Sequence, residues 1–343
     1  MNHHWSRSVG RLFIAGAVLT WLATSVAGQD SAPGSSRLRR EPKRTAWGHP
    51  DLQGFWTNTT STPLERPVEL ASKAILTDAE RAEIDAEAAR TADRPPRPGD
   101  TGAYNTFWFE RGTRSPQTSL IVDPPNGRLP QLTAKGQADK KRLDALRVED
   151  GGAPPSSYED FDVFDRCITR ALPGAMMPGF YNHNYQILQT PDYVVISVEM
   201  IHDARIIPLD GRPHISPRIR QWLGDSRGRW DGDTLVVETT HFRDGAQERG
   251  MANTVVGGSQ DMLLIERFKR VDADTFDYTF TVSDPAVFTA PWTVSAPMSR
   301  LAQGRIYEYA CHEGNYSLAN MLKGARTRDQ SVGDNAPGNV PPR

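Results

Sequence analysis

Several motifs that identify common activities are missing from this chain of 343 residues. It has no HExxH motif, no EF-hand pattern and no clustered cysteines, so no metal-site motif is present. The absence of GxSxG argues against a nucleophile elbow, and the absence of GxGxxG and of a P-loop argues against a bound nucleotide. We therefore predict no cofactor and no metal. A metal site would have to be assembled from distant residues such as His202, His214, His312 and Glu313.

An excess of positive charge is also missing, since the formal net charge is −2. Removal of residues 1–28, which have the character of a signal peptide, leaves 38 basic and 42 acidic side chains. A weakly acidic chain has no general attraction to phosphate backbones. The sequence therefore predicts no nucleic-acid partner.

Cysteine is rare, with Cys167 and Cys311 as the two examples. In an oxidising compartment a pair of this kind forms a single disulfide, which here would close a long loop. Two buried thiols are the alternative.

No apolar run in the first residues is long enough for a membrane span, which needs ~20 residues. Arg7 and Arg11 precede an apolar stretch over 12–26, and small residues follow at Ala27 and Gly28. This order predicts a secretory signal peptide over 1–28. We expect a periplasmic or secreted protein without a membrane span.

Composition divides the remaining chain into segments. Residues 29–46 are polar and rich in Pro, Gly and Ser, which predicts a flexible leader, and residues 326–343 predict a disordered tail. Residues 47–157 form a wrapping segment with two helices, near 77–90 and 133–146. The first of these begins with a capping box between Thr77 and Glu80.

Residues 158–325 are predicted to be mostly β-strand. Thr275–Ser283 alternates cleanly, with aromatic and aliphatic residues at every second position. Turn signals occur at 226–228 and 231–232. We predict a mainly β fold, in which an antiparallel, lipocalin-like barrel fills the C-terminal half, wrapped by N-terminal arms and two short helices. A two-sheet sandwich is the alternative. The predicted strands are 185–189, 193–208, 219–223, 234–242, 262–270, 275–283, 292–298 and 305–311.

Several long motifs resemble a family of exported bacterial proteins of unknown activity. The resemblance covers most of the chain after the leader and implies an extracytoplasmic location and a shared architecture. It also implies that Asn is usual where this chain has His183 and His241, so neither histidine would serve a chemistry common to the family. The motifs are DLQGFW (51–56), SLIVDPPNGR (119–128), RCITRALPG (166–174), YNHNYQILQTPDYVVI (181–196), EMIHDARIIPLDGRPH (199–214), QWLGDSRGRWDGDTLVVETT (221–240) and YEYACHEGNY (307–316).

The predicted strand 193–208 carries the first catalytic candidates. Alternation places Glu199, Asp203 and Arg205 on one face and His202 on the apolar face. His202 is a candidate acid or base because histidine titrates near neutral pH. The alternatives are a hydrogen-bonded core histidine and a structural ion pair between Glu199 and Arg205.

Further candidates follow from local sequence. His312 and Glu313 come directly after Cys311, which would hold them rigidly, although a polar turn is equally consistent. Alternation around residue 308 points a carboxylate inward, and the Gly-rich loop 220–229 places aromatic and charged groups together, as a solvated hairpin also would. The ligand-binding candidates are Tyr185, Arg220, Trp222, Asp225 and Glu308.

A barrel with an apolar interior and a few polar anchors is typical of proteins that bind a small, largely apolar organic molecule. The alternative is a cofactor-free hydrolase, lyase or isomerase that uses Glu and His acid–base residues in the same cavity. The expected partner in both cases is a small molecule. The sequence predicts nothing about the oligomeric state.

Overall fold

The computed structural model describes residues 43–91, 109–110, 112–145, 155–179, 181–244 and 258–334, with side chains to residue 327 in the last stretch. The predicted signal peptide, most of the predicted leader and the last nine residues lie outside this part of the chain. Residues 92–103, whose Pro and Gly content predicts a linker, also lie entirely outside it.

Nine antiparallel strands form a nearly closed barrel, in the order β5-β4-β3-β1-β11-β9-β8-β7-β6. Two further strands extend it, because β10 pairs with β9 beside β11, and β2 pairs with β10. The strands are β1 Gly54–Thr57, β2 Ile121–Asp123, β3 Asn184–Gln189, β4 Tyr193–Val198, β5 Ala204–Pro208, β6 Asp225–Asp231, β7 Thr234–Thr240, β8 Leu263–Arg270, β9 Thr275–Ser283, β10 Trp292–Ser295 and β11 Met298–Arg300.

The barrel comes close to closure where β5 and β6 contact each other. Gly228 in β6 permits this approach, since a Cβ there would lie 2.9 Å from a methyl carbon of Ile207 and 2.6 Å from one of Leu209. The turn predicted at 226–228 is therefore wrong. These residues lie within β6, and the glycine serves close packing between strands.

The predicted mainly β fold with an antiparallel barrel is confirmed, and the strands do not form the alternative two-sheet sandwich. The barrel is not built from the C-terminal half alone, because β1 lies between β3 and β11 and pairs Trp56 with Tyr185 and Arg300. The strand predicted at 305–311 is absent, and residues 305–310 have no regular secondary structure. Residues 219–223 form no strand either, although Gln221 makes an isolated bridge to Phe242.

The long strand predicted over 193–208 is broken. β4 ends at Val198, a 3-10 turn spans Met200–His202, and β5 begins at Ala204. Ile201 and His202 have φ of 59° and 50°, values that reverse the chain. The alternation predicted across this region is therefore interrupted at residue 199, and the predicted position of His202 on the apolar face is wrong, since it is exposed.

Large side chains fill the interior of the barrel. The alternation in β9 is confirmed, because its inward positions are almost completely buried and its outward positions are not. Aromatic rings from neighbouring strands contact one another there, such as Phe268 and Tyr278 with centroids 4.8 Å apart. A small-molecule site is therefore better sought at an end of the barrel than at its centre. The largest fully buried side chains include Trp56, Trp292, Tyr185, Tyr278, Phe242, Phe268, Phe276 and Phe280.

One ion pair lies inside this apolar interior. Arg205 in β5 donates to Glu266 in β8, with 2.9 Å between Nη1 and Oε1, and their side chains are 1% and 0% exposed. Tyr278 donates its hydroxyl to the same carboxylate over 2.9 Å. The pair therefore links β5, β8 and β9 across the barrel and satisfies charges that would otherwise be buried alone.

The described residues also form three α-helices, which are not part of the sheet: α1 Asp78–Thr91, α2 Ala134–Ala145 and α3 Ser317–Asp334. The first two correspond to the predicted helices. The predicted capping box is present in α1, because Thr77 N donates to Glu80 Oε2 over 2.8 Å and Glu80 N donates back to Thr77 Oγ1. α3 covers residues that were assigned to the barrel and the tail. Within the described part of the chain, no helix has both the length and the apolar character needed to cross a bilayer.

Candidate functional site at the disulfide-linked end of the barrel

A disulfide joins two segments at the end of the barrel where β4 ends and β5 begins. Cys167 and Cys311 are bonded, with Cα atoms 5.7 Å apart, so the predicted bridge is confirmed. The disulfide ties residues 166–171 to residues 307–311, and we call these the linked segments. Phe164, Tyr309 and Cys311 pack against the core.

Side chains from the turn between β4 and β5 hold the second linked segment. Glu199, which is 2% exposed, accepts a hydrogen bond from Tyr307 N over 2.8 Å. The Nδ1 of His202 donates to the carbonyl oxygen of Tyr309 over 3.0 Å. Two of the catalytic candidates therefore position the backbone of this segment.

The same turn holds the first linked segment. Asp203 Oδ2 accepts hydrogen bonds from Thr169 Oγ1 over 2.7 Å and from Arg170 N over 3.4 Å. Burial raises the pKa of Asp203, and the Thr169 hydrogen bond works against that shift. The backbone at Arg170 is consequently fixed on one side by Asp203 and on the other by the disulfide.

The guanidinium of Arg170 forms no salt bridge with a described residue, although the carboxylate of Asp162 is near enough to act on it electrostatically. Its Nε is buried and makes no hydrogen bond, and its Cζ lies 4.8 Å from the centroid of the Phe164 ring. Burial lowers the pKa of this group, although an arginine stays protonated in any case. The residue as a whole is only partly buried, so part of the side chain remains in reach of solvent. A cation in this state is poorly stabilised until an anion approaches.

Aromatic residues surround this charge. The groups near enough to interact electrostatically with Arg170 include Tyr185, Tyr181 and Tyr309. Tyr185 is fully buried in β3 and donates to Asn58 Oδ1 over 3.3 Å. Burial raises the pKa of Tyr185, so the hydroxyl stays protonated. The surroundings are thus largely apolar, with tyrosine hydroxyl groups and the carboxylate of Asp162 nearby.

The backbone around the linked segments is unusually strained. Non-glycine residues seldom adopt a φ in the left-handed region, and such residues concentrate at functional sites. Six described non-glycine residues do so, and five of them lie in or beside this end of the barrel. These five are Cys167 (56°), Ala171 (52°), Asn182 (55°), Ile201 (59°) and His202 (50°).

A pair of carboxylates lies next to this region. Asn184 Nδ2 donates to Glu199 Oε2 over 2.7 Å and lies 3.3 Å from Glu110 Oε2. Burial raises the pKa of Glu110, and the charge of Glu199 raises it further. Asn184 Oδ1 is buried without a partner in the described residues. The cluster therefore holds one carboxyl group that binds a proton more readily than usual.

His183 is buried beside the same cluster, and its Nδ1 donates to Met177 O over 2.7 Å. Burial, together with the charge of Arg170, lowers the pKa of His183 to about 3. The unfolded chain takes up a proton here below a pH of about 6.5, whereas the folded chain does not until about 3, so acidification favours unfolding.

We expect His183→Asn to reduce the loss of stability on acidification. Asn can still donate to Met177 O, but it does not titrate, so a penalty of up to about 1.4 kcal/mol per pH unit disappears. Urea unfolding of both proteins at about pH 7 and about pH 4.5 measures this difference. Parallel losses in the two proteins would contradict the assignment of His183 as a buried neutral histidine.

The structure brings some of the predicted site residues together and separates others. Glu199, His202 and Tyr185 meet at the linked segments. Arg205 lies inside the barrel with Glu266, so the predicted alternative of a Glu199–Arg205 pair does not form. Glu308, His312 and Glu313 are exposed, so Glu308 does not face inward.

The remaining candidates lie in a different cluster around the start of β6. Asp225 accepts a hydrogen bond from His214 Nδ1 over 2.7 Å. Trp222 packs under the guanidinium of Arg243, 4.5 Å from its ring centroid. Arg220 is exposed and donates to Gln260 O over 2.5 Å.

Sequence reasoning missed Arg170, which occupies the centre of the site. Its segment, RCITRALPG, stood out only as a motif. The available signal was the position of an arginine three residues after a bonded cysteine, inside an otherwise apolar stretch.

Fold and site together define a nearly closed antiparallel barrel with a disulfide-linked, arginine-bearing end. No protein-family model, no curated protein and no solved structure matches this chain.

Proposed function

We propose that the protein binds a small, largely apolar organic anion at the linked segments, with Arg170 holding the negative charge. The observation that carries this proposal is the guanidinium of Arg170, whose Nε is buried without a hydrogen bond in the described residues. Its pKa stays lowered by burial although the nearby carboxylate of Asp162 acts against that shift. A carboxylate or sulfonate accepts hydrogen bonds from arginine in a bidentate geometry. Such a ligand would offset the cost of burying the charge.

The apolar part of the ligand follows from the neighbours of this charge. Phe164, Tyr181 and Tyr309 pack against the core while remaining partly exposed. Aromatic faces of this kind stack on rings and cover aliphatic chains. A ligand with an apolar body and one acidic group fits these surroundings better than a sugar or a polyphosphate.

Fixed geometry supports binding rather than simple surface charge. The disulfide, Asp203 and His202 hold the backbone of both linked segments, and this rigidity lowers the entropy lost when a ligand binds. The disulfide also supports export, because such bonds persist in oxidising compartments. The disulfide and the signal-peptide-like sequence at 1–28 together support our proposal of a periplasmic or secreted location.

Cofactor-free catalysis as a hydrolase, lyase or isomerase has less support. Glu199 is engaged by Tyr307 N and Asn184, and His202 bonds to a backbone carbonyl. His312 is exposed on the surface. The group that favours catalysis is Glu110, whose pKa is raised by burial and by the charge of Glu199.

Two fluorescent probes that differ in one charge test the binding proposal. We expect the wild-type protein to bind anilinonaphthalene sulfonate more tightly than neutral phenylnaphthylamine, which has a similar apolar body. Arg170→Met should weaken binding of the sulfonate at least about tenfold, because a hydrogen bond to a charged group contributes about 1.5–3 kcal/mol. Binding of the neutral probe should change little. Fluorescence titration measures both affinities.

The matched control is Arg267→Met, which removes an exposed arginine from the outer face of β8. It should leave both affinities unchanged. Thermal unfolding of each variant excludes partly unfolded states, which also bind such probes. Equal sulfonate affinity in wild type and Arg170→Met would disprove the role of Arg170, and so would a wild-type protein that binds neither probe.

A further inference from the structure

A second cluster of ionisable side chains lies where β6 begins and β7 ends, and the binding proposal does not use it. We propose that His214, Asp225 and His241 form a site for a divalent transition-metal ion such as Zn²⁺. Each residue offers one ligand atom, and these atoms lie within 4.8 Å of one another. The three residues come from a loop, the first position of β6 and the position after β7, which explains why no sequence motif marks them.

Strand register fixes two of the three ligands. β6 pairs with β7 so that Asp225 lies opposite Thr240, and His241 follows directly. Gln221 N donates to His241 O over 3.0 Å, which holds the backbone at this position. The donors are therefore placed by the fold rather than by flexible side chains alone.

His241 has an open ligand position. Its Nδ1 lies 2.6 Å from Thr240 Oγ1, while its Nε2 is buried and has no partner in the described residues. When Nδ1 donates to the threonine oxygen, Nε2 carries a lone pair. A buried imidazole nitrogen without a partner is costly, and a metal ion would satisfy it. The residue also has a φ of 60°, a conformation that costs free energy in a residue other than glycine.

Asp225 and His214 supply the other ligands. His214 Nδ1 lies 2.7 Å from Asp225 Oδ2, so the two donor atoms already face each other and an ion bound between them would take the place of this hydrogen bond. Asp225 stays oriented because Arg227 donates to its Oδ1 over 2.8 Å and Ile215 N donates to Oδ2 over 3.2 Å. Such surrounding hydrogen bonds are typical of metal sites.

The class of ion follows from the ligands. Two imidazoles and one carboxylate match zinc sites that keep a fourth position open for water or a ligand. Donors around a tetrahedral zinc lie about 3.4 Å apart, since each bond measures about 2.1 Å. The most distant pair therefore needs to approach by at most about 1.4 Å from the 4.8 Å limit, whereas His214 Nδ1 and Asp225 Oδ2, 2.7 Å apart, need to separate by about 0.7 Å. The side chain of Glu238 is 52% exposed, with Oε1 3.3 Å from His214 Nε2, the ring nitrogen on the side away from Asp225. A carboxylate in that position orients a metal-bound histidine.

Calorimetric titration of the full-length, untagged protein with Zn²⁺ tests the site, and visible absorption of Co²⁺ in its place reports nitrogen coordination. We expect wild type to bind about one ion per chain. His214→Ala and His241→Asn should each weaken binding at least about tenfold. Asn tolerates the left-handed backbone at position 241, so His241→Asn should fold, and unfolding temperatures check this.

The matched control is His49→Asn, since His49 stacks on Trp230 with centroids 4.5 Å apart and lies outside the cluster. It should bind Zn²⁺ as wild type does. Arg170→Met should also bind Zn²⁺ normally, because the two sites share no residue. Wild-type affinity in either His214→Ala or His241→Asn would overturn the proposal, and so would a wild-type protein without Zn²⁺ binding. The family resemblance implies Asn at position 241, so a confirmed site would be particular to this chain.

Discussion

Glu266→Ala should destabilise the protein by about 3–5 kcal/mol, because removal of one partner leaves the other charge buried and unpaired. Arg205 would then lie in the barrel interior with no carboxylate, and the hydroxyl of Tyr278 would lose its acceptor. Burial lowers the pKa of Arg205, but the charge and hydrogen bonds of Glu266 outweigh burial and leave it raised. Since native domains have about 5–15 kcal/mol of stability, this loss is large. Urea unfolding monitored by tryptophan fluorescence measures it.

A variant that removes the whole network distinguishes the net contribution of the ion pair to stability from the cost of leaving one of its charges unpaired. Arg205→Met, Glu266→Leu and Tyr278→Phe together replace every polar group with an apolar one of similar volume. Such replacements are often neutral or stabilising, so the triple variant should be far more stable than Glu266→Ala. If Glu266→Ala alone retained wild-type stability, Arg205 would not depend on this partner.

The barrel was predictable wherever local alternation decides which face is buried. In β9, Phe276 and Phe280 occupy the inward positions that their spacing predicts, because successive side chains point to opposite faces of a sheet. The four-residue strand β1 was not predictable. Its pairing with β3 connects Trp56 to Tyr185, and contacts between such distant residues leave no periodic signal in either segment.

The break between β4 and β5 was missed for a different reason. A β-branched residue rarely adopts positive φ, so Ile201 indicated a continuing strand. Tertiary contacts override that preference, since Glu199 and His202 hold the segment at Tyr307 and Tyr309. The same contacts define the site. Because the strand was predicted to continue past Val198, the predicted orientations of the catalytic candidates beyond that residue were wrong.

The candidate site was only partly predictable from the sequence, because its chemistry depends on the three-dimensional surroundings of a single arginine, Arg170. An arginine is ordinary until its surroundings are known. Arg170 becomes a candidate because its Nε is buried without a hydrogen bond in the described residues and because Tyr185 and Tyr309 approach it from distant parts of the chain. The sequence predicted the rigid disulfide and the region near Glu199, but not the charge that they position.

Replacement of both cysteines, Cys167→Ser with Cys311→Ser, should lower stability by about 4–5 kcal/mol in the loop-entropy model. The two residues are 144 positions apart, and a crosslink over so long a loop removes many conformations from the unfolded chain. Denaturant unfolding of the double variant and of reduced wild type should give the same loss. If both remained as stable as the oxidised protein, the crosslink would contribute little.

The same variant distinguishes stability from binding. Without denaturant, and as long as the double variant remains folded, Asp203 and His202 still hold the linked segments, but the covalent connection between the segments is lost. Arg170 and Tyr309 are then less fixed relative to each other. We therefore expect weaker binding of the sulfonate probe with little change in Zn²⁺ affinity, since β6 and β7 position Asp225 and His241, and His214 is bonded to Asp225. Equal losses at both sites would instead indicate general unfolding, whereas selective loss of the sulfonate assigns the disulfide to the organisation of the anion site.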